Sequence, residues 1–150
     1  MISFLDEVNG VAERTGATVQ AFDADYVVDR THLALAVERA DRAVERGENV
    51  ARERAVEILL YAAGRRQIDG ALEMGVSAGR TRVVVLVDGG EAADAAAAIA
   101  ELLDPAETLG KYDETLVRGF FDVGDLELDA VDGGLADVVH ERVALLDVEK

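Results

Sequence analysis

Asn49-Val50-Ala51-Arg52-Glu53-Arg54-Ala55-Val56-Glu57-Ile58-Leu59-Leu60-Tyr61-Ala62-Ala63-Gly64-Arg65-Arg66-Gln67-Ile68 is the stretch on which the fold turns. From Ala55 to Ala63 every residue except Glu57 is apolar. A helix here has almost no polar face to offer water and is expected to run through the middle of the domain as its spine, with Asn49 as its cap. Gly64 interrupts the pattern, and Arg65, Arg66 and Gln67 follow at once, so a buried helix ends where rigid, multi-donor head groups begin. Polar groups carried by a core helix are well positioned. Taken alone, the same three residues also read as the solvated start of the next helix, Gln67 to Met74, with Ile68 and Leu72 on one face and Gly75 as its stop.

Upstream, Ile2 to Glu13 has apolar residues about a turn apart (Phe4 or Leu5, Val8, Val11 or Ala12), a weak helical pattern for which Gly16 is a stop. Val19 to Phe22 and Tyr26 to Val28 carry β-formers around Asp23-Ala24-Asp25, and are read as one interrupted strand. Asp29 or Thr31 can cap a helix in which Leu33, Val37, Ala40 and Val44 repeat on one face until Gly47. Its other face, with Glu38, Arg39, Asp41, Arg42, Glu45 and Arg46, is a solvated stripe. His32 falls in the first turn without a second histidine or a spaced acidic set, so it reads as a helix-start residue rather than a metal ligand.

Downstream the period changes. Thr81 to Val87 is a continuous β-branched run of the kind a strand covered on both faces shows, and it is the candidate central strand. Asp88-Gly89-Gly90 turns the chain into a helix from Glu91 to Leu103. Strand, glycines and helix also describe a phosphate cradle, but there is no GxGxxG and no Lys-Ser/Thr pair, and Asp88 and Glu91 stand where a phosphate would sit. Pro105 separates this helix from another over Asp113 to Phe121, with Leu116, Val117, Phe120 and Phe121 on its apolar face. Asp122, Asp125, Glu127 and Asp129 lack EF-hand spacing and the loop glycine, so Gly124 to Val131 reads as a solvated acidic connector. Leu135 to Val139 is a helical turn, and Glu141-Arg142-Val143-Ala144-Leu145-Leu146-Asp147-Val148 reads as a terminal strand belonging to a sheet. The fold class is α/β (α+β): a small mixed sheet packed with several helices, in a single domain over residues 1–150.

At 150 residues such a domain buries roughly 68–70% of its unfolded surface, enough to need no disulfide or metal. There is no cysteine, hence no thiolate nucleophile and no Cys-based zinc site, and neither a leader pattern nor an apolar run of membrane-spanning length is seen. A cytoplasmic protein without a membrane partner is expected. His32 and His140 have no recognisable serine partner and no acid pair has a site around it, so no enzymatic role and no cofactor are expected. The formal charge of −16 would ordinarily argue against a nucleic-acid partner. Lys111 and Lys150 are the only lysines, while acidic residues are spread through every segment. That distribution suits a halophilic protein living in molar salt, where the Debye length falls to ~3 Å and acidic repulsion is screened.

Two stretches carry a resemblance. Ile58-Leu59-Leu60-Tyr61-Ala62-Ala63-Gly64-Arg65-Arg66-Gln67-Ile68 followed by Ala71, together with the ending Glu141 to Asp147, resembles the small kinase-binding subunit of the KEOPS complex. The similarity in length and element order spans essentially the whole chain. It implies a non-catalytic role in making threonylcarbamoyl-adenosine beside the tRNA anticodon. In that family the subunit docks on the small kinase/ATPase subunit and captures the single-stranded 3′ CCA end of tRNA, while a transferase subunit performs the chemistry. By matching positions, Arg65, Arg66, Gln67 and Ile68 would be the tRNA-contacting group. Arg planes, a Gln amide and an apolar Ile suit a splayed single-stranded end read by stacking and base-edge hydrogen bonds. The alternative is a purely regulatory kinase-binding protein without direct RNA contact.

Overall fold

The spine is the helix α3 (Arg54–Ala63), in which every residue from Glu57 to Ala63 is buried. It appears here in a computed structural model that describes residues 4–76, 82–103, 107–131 and 133–149. The helix starts later than a cap at Asn49 would place it. Asn49 is not its cap: its side-chain amide donates to the Ala51 carbonyl at 2.8 Å, and Glu53 occupies the cap position without a side-chain bond. The cause is Glu57, the one polar residue of the run, which turns back and accepts hydrogen bonds from the backbone N–H groups of Val50 (3.1 Å) and Ala51 (2.9 Å). Amides held by a carboxyl are withdrawn from a helical ladder, so residues 49–53 form a tethered loop.

Around the spine, in chain order, lie α1 (Phe4–Thr15), β1 (Thr18–Asp23), α2 (Arg30–Glu45), α4 (Ile68–Ala71), β2 (Val83–Asp88), α5 (Ala92–Glu101), α6 (Glu114–Phe120), α7 (Asp125–Ala130) and α8 (Leu135–Glu149). The fold is therefore α+β as expected. Among the described residues its sheet is two-stranded and antiparallel, pairing Thr18 with Asp88 through Asp23 with Val83, rather than mixed. Both faces of β2 are covered, as the continuous β-branched run implies. Val84 and Leu86 pack on the main core, and Val85 and Val87 on a smaller cluster made with Val8 and Val11 of α1 and Ala95 and Ile99 of α5. It is nevertheless one of two strands among the described residues rather than a central one. The expected Ile2, Thr81 and Pro105 boundaries lie outside the described residues.

The interrupted strand is only half a strand. Asp23 accepts the Asp25 N–H through its side chain at 3.0 Å, which starts a 3-10 turn over Ala24–Tyr26 and ends the ladder. Val27 and Val28 are still fully or nearly fully buried, but as core loop residues. In α2 the cap is Asp29, which accepts the His32 N–H at 2.8 Å, and the buried stripe is His32, Leu33, Ala36, Ala40 and Ala43. It is rotated relative to expectation: Val44 is 49% exposed.

The expected terminal strand is the second half of α8, which packs on α2 and α3. A strand would bury Val143 and Leu145 on one face. Val143 and Leu146 are buried instead, while Leu145 is 40% exposed, the three-residue spacing of a helix laid on other helices. Gly124 to Val131 is likewise not a free connector, since α7 pairs Glu127 with Arg142 and Asp125 with Arg118.

The Asp88-Gly89-Gly90 turn brings the chain against its own N-terminal region. A Cβ on Gly90 would lie 2.4 Å from the Gly16 carbonyl carbon, and Glu91 donates its N–H to the Thr15 carbonyl at 2.9 Å. Close backbone approach accounts for the second glycine. Arg54, at the start of α3, ties the sheet to the helices: it donates to Asp41 on α2 at 2.8 and 2.9 Å, to Asp88 at 2.7 Å and to Thr18 at 3.0 Å. These bonds raise its pKa above the usual arginine value. No helix among the described residues is long and apolar enough to cross a membrane.

Candidate functional site

The end of the spine is closed by a Schellman arrangement: Gly64 donates to the Tyr61 carbonyl and Arg65 to the Leu60 carbonyl, both at 3.0 Å. This requires the left-handed conformation that Gly64 adopts, with φ +62° and ψ +33°. A methyl group at Gly64 would meet Phe121 at 3.6 Å and Arg142 Cβ at 3.8 Å, so space is available and only the backbone angle resists substitution. Gly64→Ala is expected to cost about 1 kcal/mol in urea unfolding, the usual penalty for a Cβ in this region.

The last turn of α3 is also secured from the side. His32 Nε2 lies 2.7 Å from the Ala62 carbonyl, and Nδ1 accepts the Val28 N–H at 3.3 Å. Those two bonds define a neutral imidazole with its proton on Nε2. Burial lowers its pKa to about 4, an effect opposed by the Ala62 carbonyl and by Asp29. The His32 ring stands edge-on to Phe121 at 5.7 Å, and Asp29, which caps α2, also receives His140 Nε2 at 2.8 Å. His32 thus satisfies a carbonyl that the helix end leaves free. The signal for this was its place on the apolar stripe with Leu33, Ala36 and Ala40.

From this fixed end the chain emerges with Arg65, Arg66, Gln67 and Ile68 all exposed, the first three in the link between α3 and α4 and Ile68 at the start of α4. The four predicted residues are brought together but not equivalently. Arg65 donates from Nη2 to the Phe120 carbonyl at 2.6 Å, and its guanidinium carbon sits 4.4 Å above the centre of the Phe120 ring. Arg142 of α8 donates to the Phe121 and Asp122 carbonyls, each at 3.2 Å. Two arginines from distant segments therefore satisfy the C-terminal carbonyls of α6 and complement its negative end. Arg142 is held in turn by both oxygens of Glu127, whose carboxyl is kept below the usual range by that bond.

Arg66 and Gln67 make no side-chain hydrogen bond or ion pair among the described residues. Gln67 stands at the cap position of α4 without bonding through its amide. Ile68 is 42% exposed, and Leu72, one turn on, 56% exposed. The surface thus offers a guanidinium fork, an amide and an apolar ledge on a link held rigidly at its base. Hydrogen bonding to the edge of a planar ligand, with an apolar rest for its face, is the chemistry this set can perform. Local sequence carries no signal for these supports: it reads Phe120 only as part of an apolar face and Arg142 as part of a strand.

Compared with the curated proteins, the chain matches none. Residues 6–147 match the family model for kinase binding protein CGI-121, and the chain belongs to that family.

Proposed function

We propose that this chain, acting as a single domain over residues 1–150, is the non-catalytic subunit of the KEOPS complex that docks on its small kinase/ATPase subunit and recruits tRNA by the 3′ CCA end. The transferase subunit of that complex would carry out threonylcarbamoyl-adenosine formation. Membership of a kinase-binding family supports the docking half. The tRNA half rests on one observation: Arg66, Gln67 and Ile68 are presented together, exposed, beyond the fixed end of a buried helix. An unpaired nucleotide offers the base edges and faces those groups would engage. In a halophilic cytoplasm, counterion release contributes less to RNA binding, so directed Arg and amide contacts carry more of it.

The test is binding of the full chain, in molar potassium chloride, to a labelled tRNA and to the same tRNA without its CCA tail. Arg66→Ala and Gln67→Ala are each expected to weaken capture of the intact tRNA about tenfold, the loss of one good polar contact, and to leave kinase binding unchanged. Equal affinity for intact and trimmed tRNA, or variants that bind as the parent does, would leave the regulatory kinase-binding role in its place. The charge of −16 is the feature that favours that second reading.

A further inference from the structure

We propose that Arg65 is a positioning residue for this loop rather than one of its RNA contacts, so that the groups presented to a nucleotide begin at Arg66; this rests on the tRNA reading above. The guanidinium is already engaged by the protein. Its Nη2 is bonded to the Phe120 carbonyl at 2.6 Å, and its guanidinium carbon lies over the Phe120 ring, 4.4 Å from the ring centre. A base could stack on that face only by displacing Phe120, which is 6% exposed and packed edge-on against Tyr26 at 5.3 Å and Phe121 at 5.1 Å. On the α4 side, a methyl group on Gly70 would sit 3.8 Å from Arg65 Nη1 and 3.9 Å from Cδ and Cγ, so the arginine stem runs alongside that glycine.

Arg65 therefore joins the end of α3, the start of α4 and the C-terminus of α6. Its backbone is pinned as well, since its N–H closes the spine helix on Leu60. The next residues, Arg66 and Gln67, have exposed side chains and inherit their direction from this anchor. A planar, multi-donor head is needed for the role, because one group must stack on a ring and donate to a carbonyl at a fixed angle.

The experiment uses the full chain with two readouts: hydrogen exchange of the Arg65 and Ala71 amides, which donate to the Leu60 and Gln67 carbonyls on either side of the link, in the free protein, and tRNA affinity in molar potassium chloride. Arg65→Ala and Phe120→Leu are each expected to speed exchange and weaken tRNA binding, by roughly five- to tenfold, as loss of a cation–π contact and a charge-assisted hydrogen bond would. The double variant should be no worse than either single one, because both remove the same contact. Arg65→Lys keeps the charge but loses the planar fork, and is expected to match Arg65→Ala without touching the core. Arg66→Ala should weaken tRNA binding with exchange unchanged. Parent-like exchange in Arg65→Ala and Arg65→Lys, or additive losses in the double variant, would overturn the positioning role. Arg66→Ala and Gln67→Ala without effect on tRNA would instead overturn the RNA reading, with accelerated exchange in Arg65→Ala marking that the anchor itself stands.

Discussion

Glu57→Ala is expected to lower the unfolding free energy by about 3 kcal/mol, among the largest effects of any single substitution in this chain. The Glu57 carboxyl is fully buried and holds the N–H groups of Val50 and Ala51. Removing it strands buried donors at about 1–3 kcal/mol each, offset in part because Val50 lies near solvent. It also leaves a void beside the spine, which adds a packing loss. Glu57→Gln keeps one carbonyl oxygen for the same amides and is expected to lose only about 1 kcal/mol. Urea unfolding of the parent and both variants measures the difference. Equal losses for Ala and Gln would mean that both oxygens of the carboxyl are required and that side-chain volume, which Gln keeps, contributes little.

Acidification acts on the opposite end of the same helix. An unfolded imidazole takes a proton near pH 6.5, whereas folded His32 resists protonation until about pH 4. Between those values the unfolded chain binds a proton that the native protein refuses. The stability contributed by neutral His32 is complete above pH 6.5 and is lost progressively as the pH falls to about 4. The loss is on the order of 3 kcal/mol over that interval, at 1.36 kcal/mol per pH unit. Protonation would also put a second N–H on Nδ1, where the Val28 N–H now donates. In His32→Gln the difference in stability from the parent should shrink from pH 7 to pH 4.5. His140, facing Asp29 from α8, is present in both proteins, so the difference isolates His32. Parallel stability curves across that range would sink the assignment.

The two effects bracket α3 and explain why its C-terminal end can carry a site. Glu57 holds the entry loop, His32 secures the Ala62 carbonyl, and Gly64 directs the chain outward. Each acts through backbone groups, so the direction of Arg66 and Gln67 is set before any ligand arrives. A link held in this way loses less conformational entropy on binding than a free loop of the same composition.

Much of this architecture follows from local pattern. The apolar run to Ala63 and the break at Gly64 place the end of a buried helix, and with it the exposed group from Arg65 to Ile68, without reference to any other part of the chain. The β-branched residues of β2 likewise announce a strand covered on both faces. Three features do not follow from local pattern. Val143, Leu145 and Leu146 suit a strand or a helix equally, and α8 is a helix because its Val143 and Leu146 face other helices. Asn49 resembles a cap, yet Glu57, eight positions on, claims the neighbouring amides first. Arg65 resembles its neighbour Arg66 in every local respect, and only the arrival of Phe120, 55 residues away, makes one an anchor and leaves the other free. Short-range periodicity and glycine stops determine where the site is; which side chains remain available in it is decided by contacts between residues distant along the chain, because a donor is spent wherever the fold brings an acceptor to it.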